Sequence, residues 1–111
     1  MVRLRFEMSS IPSFVAELVR SANETDRLSD FEAARLLRRS IAIIRDLRET
    51  VGIPSDGTEH DAVIQLDRLA LNADSASREG LRSGLLEAAD MVRTLWVVVD
   101  SGTRITITAS A

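Results

Sequence analysis

The chain has 111 residues, of which 45% are apolar and 28% charged, and its net charge is −3. This length and composition are typical of one globular domain with its own core, and they exclude a disordered tail protein. The small negative charge gives no overall attraction to nucleic acid or to an anionic membrane. Since the sequence contains no Cys, disulfides, thiol chemistry and Cys-ligated zinc sites are also excluded.

The basic residues are all Arg, 14 in number, which we attribute to the codon usage of a high-GC bacterial genome. The most apolar run covers residues 95–99 and is far too short to span a bilayer. No secretory signal pattern is recognised near the first residue. We therefore expect a bacterial protein of the cytoplasm with no membrane partner.

Two helices are predicted in the first half of the chain. The first covers residues 10–22, where apolar residues recur at helical spacing. A capping box of Ser29 and Glu32 opens the second helix, and Gly52 ends it. The apolar stripe of this second helix consists of Ala34, Leu37, Ile41, Ile44, Leu47 and Val51. Because both of its ends are marked by capping residues, the second helix is the best-defined element of the sequence.

Two further helices are predicted in the second half. A second capping box at residues 58–61 opens the third helix, which runs to residue 72 and is apolar around most of its circumference. Such a helix is expected to pack on two sides, either centrally in a bundle or against a second chain. The fourth helix covers residues 77–99 and carries a heptad-like seam, which is typical of four-helix bundles. The seam consists of Leu81, Leu85, Ala88, Val92, Leu95 and Val99.

The two ends of the chain have a different pattern. Apolar and charged residues alternate over residues 1–8, and residues 103–109, within the last segment 103–111, are alternating and rich in β-branched residues. We expect short strands or flexible ends there, although Met8 is an equally good translation start, which would place residues 1–7 outside the protein. The predicted fold is thus mainly α, one helical domain over 1–111: a four-helix bundle or paired helical hairpins with short β-like ends.

Small residues recur every four positions at Ala76, Gly80, Gly84 and Ala88. A glycine inside a helix costs about 1 kcal/mol relative to alanine, which is easiest to explain if another backbone approaches there. The alternative is that the helix begins near Ser83 and that Gly80 lies in a loop. With the first interpretation, the predicted interface residues are Leu69, Gly80, Gly84, Ala88, Val92 and Trp96. The aromatic residues Phe6, Phe14 and Phe31 are expected in the core.

Catalytic and metal-binding patterns are sparse. His60 is the only histidine and is expected on the surface at the start of the third helix, so a His-ligated metal site is not supported. Two pairs of carboxylates stand three residues apart on the second and fourth helices. If they converged they could bind Mg²⁺ in a phosphate hydrolase. These candidates are Asp46, Glu49, Glu87 and Asp90, although neighbouring arginines favour a solvated, ion-paired surface instead.

A second alternative is DNA association through the Arg-rich second helix. Its candidate residues are Arg35, Arg38, Arg39 and Arg45. Four acidic residues share the same helix and no aromatic side chain for base stacking is near, so nucleic acid is not favoured. The interpretation that we favour is a non-enzymatic interaction or regulatory protein without a cofactor. It would present a helical surface to a second copy of itself, as a homodimer, or to another protein.

Overall fold

The computed structural model describes residues 10–52 and 57–101, and of residues 57–61 it describes only the backbone. Four α helices make up nearly all of this part of the chain. They are α1 (Ser10–Asn23), α2 (Asp30–Val51), α3 (Gly57–Leu71) and α4 (Arg78–Ser101), with a one-turn 3-10 helix, Thr25–Arg27, between α1 and α2. The described ranges contain no strand. The predicted mainly α class and the four helices are confirmed, whereas the predicted strands lie outside the described residues.

The directions of the helices follow from the contacts of one arginine. Arg78, at the start of α4, donates to the carbonyl oxygens of Thr25 (2.9 Å) and Leu28 (3.1 Å). The same guanidinium pairs with the Asp30 carboxylate at 3.4 Å, where α2 begins. Because α4 begins where α1 ends and α2 starts, α1 runs antiparallel to α4 and α2 runs parallel to it.

The helix α4, and not α3, occupies the centre of the bundle. α4 packs on both α1 and α2, whereas α3 packs mainly on α2 and only lightly on α4. Of the two positions predicted for α3, the central one is therefore wrong, and packing against a second chain stays a prediction. The apolar circumference of α3 suggested a central helix, but part of that apolar surface faces solvent: Leu71 is 65% exposed. α3 also begins at Gly57, ahead of the N-cap predicted at Thr58.

The core lies between these helices and contains the predicted apolar stripes. All six stripe residues of α2 are buried, and so is the seam of α4 except for Val99, which is half-buried. Ser40 is also fully buried, and its hydroxyl donates to the Leu36 carbonyl at 2.9 Å, which satisfies the polar group locally. The largest fully buried apolar side chains are Leu18, Leu37, Ile44, Leu66, Leu81, Leu85 and Val92.

Both predicted ends of α2 are confirmed. Ser29 Oγ accepts from the Glu32 backbone N–H at 3.0 Å, and a Glu32 carboxylate oxygen accepts from the Ser29 N–H at 3.4 Å. At the other end, Gly52 has a φ of 77°, and its N–H donates to the carbonyls of Arg48 and Glu49. Only glycine adopts this left-handed conformation without steric cost, which is why the helix stops there.

Replacing the capping hydroxyl should weaken the fold measurably. We expect Ser29→Ala to lower the free energy of unfolding by about 1 kcal/mol, because the Glu32 N–H loses its acceptor. The measurement is urea denaturation followed by circular dichroism. Ser83→Ala is the matched control, since Ser83 is exposed in the second turn of α4 and is not its N-cap. Equal stability of the two variants would contradict the cap.

Candidate functional site

One of the two glycines inside α4 serves packing between helices of the chain. Gly80 and Gly84 both lie inside α4, so the alternative of a helix that starts near Ser83 is wrong. A Cβ added to Gly84 would overlap Leu69 Cδ2 of α3 and lie 3.9 Å from Leu37 Cδ2 of α2. A Cβ at Gly80 would meet only the Ser77 hydroxyl at 3.1 Å, which itself accepts from the Gly80 N–H at the start of α4. Of these two glycines, Gly84 marks a close helix contact and Gly80 does not.

The six predicted interface residues divide into two sets. Gly84, Ala88 and Val92 are buried against helices of the same chain. Leu69, Gly80 and Trp96 are partly exposed. A partner can therefore reach the second set with the four helices in place, and it can reach the first set only if a helix moves. The interface role of the second set stays a prediction.

The last turns of α4 carry four consecutive apolar residues, Trp96, Val97, Val98 and Val99, which we call the apolar helix end. Val97 is 55% exposed and the other three are partly exposed. Four consecutive residues cover about 300° of a helix circumference, so one neighbouring helix cannot shield them all. α1 is about 21 Å long and α4 about 36 Å. Because α1 packs along α4 from the start of α4, α1 does not extend as far as the last turns of α4. The apolar helix end thus presents side chains to solvent.

For the large apolar side chains outside the seam, the sequence prediction was wrong at Phe31 and made no statement about Val97. Phe31, predicted in the core, is 73% exposed, because it lies about 120° around α2 from the fully buried Leu37. Phe14 is buried as predicted, with the Arg39 guanidinium carbon 5.1 Å from its ring centroid. Val97 attracted no prediction of its own, although it falls on the side of α4 opposite to the seam.

A polar depression lies between α1 and the start of α2, and we call it the charged cleft. It opens because α1 packs mainly on α4 and leaves a gap toward α2. Its volume is about 240 Å³. The lining residues are Glu17, Arg20, Ser21, Glu24, Arg27, Leu28, Glu32, Arg35 and Leu36. Three arginines and three glutamates therefore face one small space, an arrangement that no sequence motif indicated.

A second depression lies between α3 and α4. It opens because α3 packs mainly on α2 and only lightly on α4. It has a volume of about 330 Å³ and a largely apolar lining. Its walls are Arg48, Ala62, Glu87, Asp90, Met91, Thr94 and Leu95. Glu87 and Asp90, two of the metal candidates, border this groove.

Comparison with known proteins adds no relative. No protein-family model matches the chain, and neither does a curated protein or a solved structure. None of the helices in the described ranges combines the length and the apolar character that crossing a bilayer requires.

The candidate metal ligands form no metal site with the other side chains that the structure describes. Within residues 10–52 and 62–101, no three His, Cys, Asp or Glu side chains lie close enough together to hold a metal ion. Of the four candidates, Asp46 is half-buried and the others are exposed. Asp90 pairs with Arg93 at 3.1 Å, as the sequence spacing predicted. The side chain of His60 lies outside the described residues.

The four arginines of the DNA alternative, Arg35, Arg38, Arg39 and Arg45, are all exposed on the outer face of α2. Two of these arginines lie against other features of the molecule, so the four do not form one continuous surface for DNA. Arg39 stacks on the Phe14 ring, and Arg35 lines the charged cleft. The stripe is therefore divided between two faces, and DNA association remains a prediction that no contact here favours.

Proposed function

We propose that this protein acts by protein–protein interaction and that it forms a homodimer through the apolar helix end. The observation that carries the proposal is the run of four consecutive apolar residues at the end of α4, with Val97 55% exposed. Contiguous apolar side chains in contact with water mark interaction sites, whereas scattered ones do not. The aromatic member, Trp96, is of the residue type that most often anchors an interface.

A second copy of the chain is the occupant that this surface fits best. A twofold dimer brings the same residues of both copies together, so its interface must be complementary to itself. The four side chains are uncharged, and two copies therefore meet without repulsion between like charges. Full burial of a large apolar side chain contributes about 1.5–3 kcal/mol, and the still exposed parts of these side chains in the two copies contribute toward an association cost of about 4–15 kcal/mol.

The proposal includes two statements expected from the sequence. The protein is non-enzymatic, and its regulatory or assembly role is exerted by the dimer. Its location is the cytoplasm, where a chain without Cys is unaffected by the reducing conditions.

Sedimentation equilibrium over a wide concentration range tests the dimer. Wild type should show a monomer–dimer equilibrium, and Val97→Glu should raise the dimer Kd at least tenfold, about 1.4 kcal/mol, because the interface would bury two unpaired carboxylates, one from each copy. Trp96 is the only tryptophan, so its fluorescence should shift to shorter wavelength as the dimer forms.

Phe31→Glu is the matched control, because Phe31 is 73% exposed but lies at the opposite end of the bundle. It introduces the same charge at an exposed apolar position and should leave the dimer Kd unchanged. A wild-type chain that stays monomeric at the highest concentration rejects the homodimer. An equal effect of the two substitutions rejects the apolar helix end as its interface.

A further inference from the structure

We infer that the charged cleft binds a small molecule in which a phosphate or carboxylate group stands next to an amino or hydroxyl group. This inference is independent of the homodimer, since the cleft lies at the other end of the molecule from the apolar helix end. Its three arginines come from three elements: Arg20 from α1, Arg27 from the 3-10 helix and Arg35 from α2.

The guanidinium groups of the cleft keep their donors available. In the described part of the chain, no carboxylate oxygen lies within 4.0 Å of a guanidinium nitrogen of Arg20, Arg27 or Arg35. Other arginines on the surface do form ion pairs: Arg82 and Arg93 each pair with an acidic residue one turn earlier in α4. A guanidinium group binds a planar or tetrahedral oxyanion through two parallel hydrogen bonds. The cleft therefore offers several donor pairs to one oxyanion.

A buried hydroxyl supplies the second, independent observation. Ser21 is only 8% exposed and lines the cleft, yet its Oγ makes no hydrogen bond with any of the described residues. The buried Ser40, by contrast, donates to the Leu36 carbonyl. Buried hydroxyl groups in proteins nearly always have a partner, because leaving one unsatisfied is destabilising. An oxygen atom of a bound ligand would provide that partner for Ser21.

The acidic residues define the rest of the ligand. Glu17, Glu24 and Glu32 line the same space, so a polyanion would be repelled, whereas ammonium or hydroxyl hydrogens would find acceptors. A volume of about 240 Å³ lies below the usual range for drug-sized ligands. The charges and the size together point to a compact zwitterion or a small hydroxylated acid.

Titration of the full chain, observed by backbone-amide NMR, tests the inference. The probes are phosphoethanolamine (phosphate with ammonium), glycine (carboxylate with ammonium) and inorganic phosphate alone. At least one zwitterion should cause saturable shifts centred on Ser21, Arg27 and Arg35, and it should bind at least about tenfold more tightly than inorganic phosphate. The better of the two zwitterions identifies the oxyanion. Absence of saturation with all three probes, or shifts spread over every surface arginine, overturns the site.

Three substitutions separate binding from folding. Arg27→Gln should raise the Kd of the better probe about tenfold, because one charge-assisted donor pair is lost. Arg38→Gln is the control: Arg38 is exposed on α2 outside the cleft, and its substitution should leave the Kd unchanged. Ser21→Ala should weaken binding a few-fold without lowering the melting temperature. If it lowers the melting temperature and leaves the Kd unchanged, Ser21 has a structural role only and the inference fails.

Discussion

Leu37→Ala should lower the free energy of unfolding by about 3 kcal/mol. Leu37 is fully buried on α2 and faces α4, since its Cδ2 lies 3.9 Å from the position of a Cβ added to Gly84. Truncation of such a leucine removes buried apolar surface and leaves a cavity that the neighbours only partly fill, at a cost of about 2–5 kcal/mol. Urea denaturation with linear extrapolation gives this quantity directly.

Leu71→Ala is the control for this truncation. It removes the same atoms, but Leu71 is 65% exposed at the end of α3, and its loss should change the free energy of unfolding by less than about 0.5 kcal/mol. A cost below about 1 kcal/mol for Leu37→Ala would contradict the packing of α2 against α4. Equal costs for the two leucines would contradict the difference in burial between Leu37 and Leu71.

The features predicted correctly are those set by neighbours along the chain. A capping box joins residues three apart, and a left-handed glycine ends a helix through bonds to the last turn. Ser29, Glu32 and Gly52 therefore gave both ends of α2. The apolar stripe of α2 was equally predictable, because helical periodicity alone decides which residues share a face.

The arrangement of the helices was not predictable from these local rules. A helical wheel shows how wide an apolar face is, but not which neighbours cover it, and so it could not decide between a central α3 and an α3 packed against a second chain. One signal for α4 was present. Small residues at Gly84 and Ala89 adjoin the seam positions Leu85 and Ala88, which widens the buried face enough for several neighbours.

The charged cleft escaped prediction for a related reason, and of the apolar helix end only Trp96 was predicted at an interface. Arg20, Arg27 and Arg35 belong to three elements and have no motif spacing, and only the packing of α1 onto α4 rather than α2 brings them to one cleft. The apolar helix end continues the seam without a break, so its sequence resembles core. Its exposure results from the difference in length between α1 and α4, which no single segment reveals.

The close approach at Gly84 should appear as strong coupling with Leu69. We expect Gly84→Val to lower the free energy of unfolding by about 2 kcal/mol, because its added atoms overlap the Leu69 side chain and approach Leu37. Valine is chosen because its helix propensity differs from that of glycine by only about 0.3 kcal/mol. The steric cost is then not hidden by the gain of about 1 kcal/mol that alanine would bring.

The double-mutant cycle with Leu69→Ala isolates this contact. In the Leu69→Ala background the overlapping methyl groups are gone, so Gly84→Val should be nearly neutral and the coupling energy should be about 2 kcal/mol. Gly80→Val provides the control, because its added atoms would face the Ser77 hydroxyl and not α3. Its effect should be the same in both backgrounds. If Gly84→Val costs the same with and without the Leu69 side chain, then α3 does not pack on α4 at Gly84. The glycine would then need another explanation, such as a partner that reaches it.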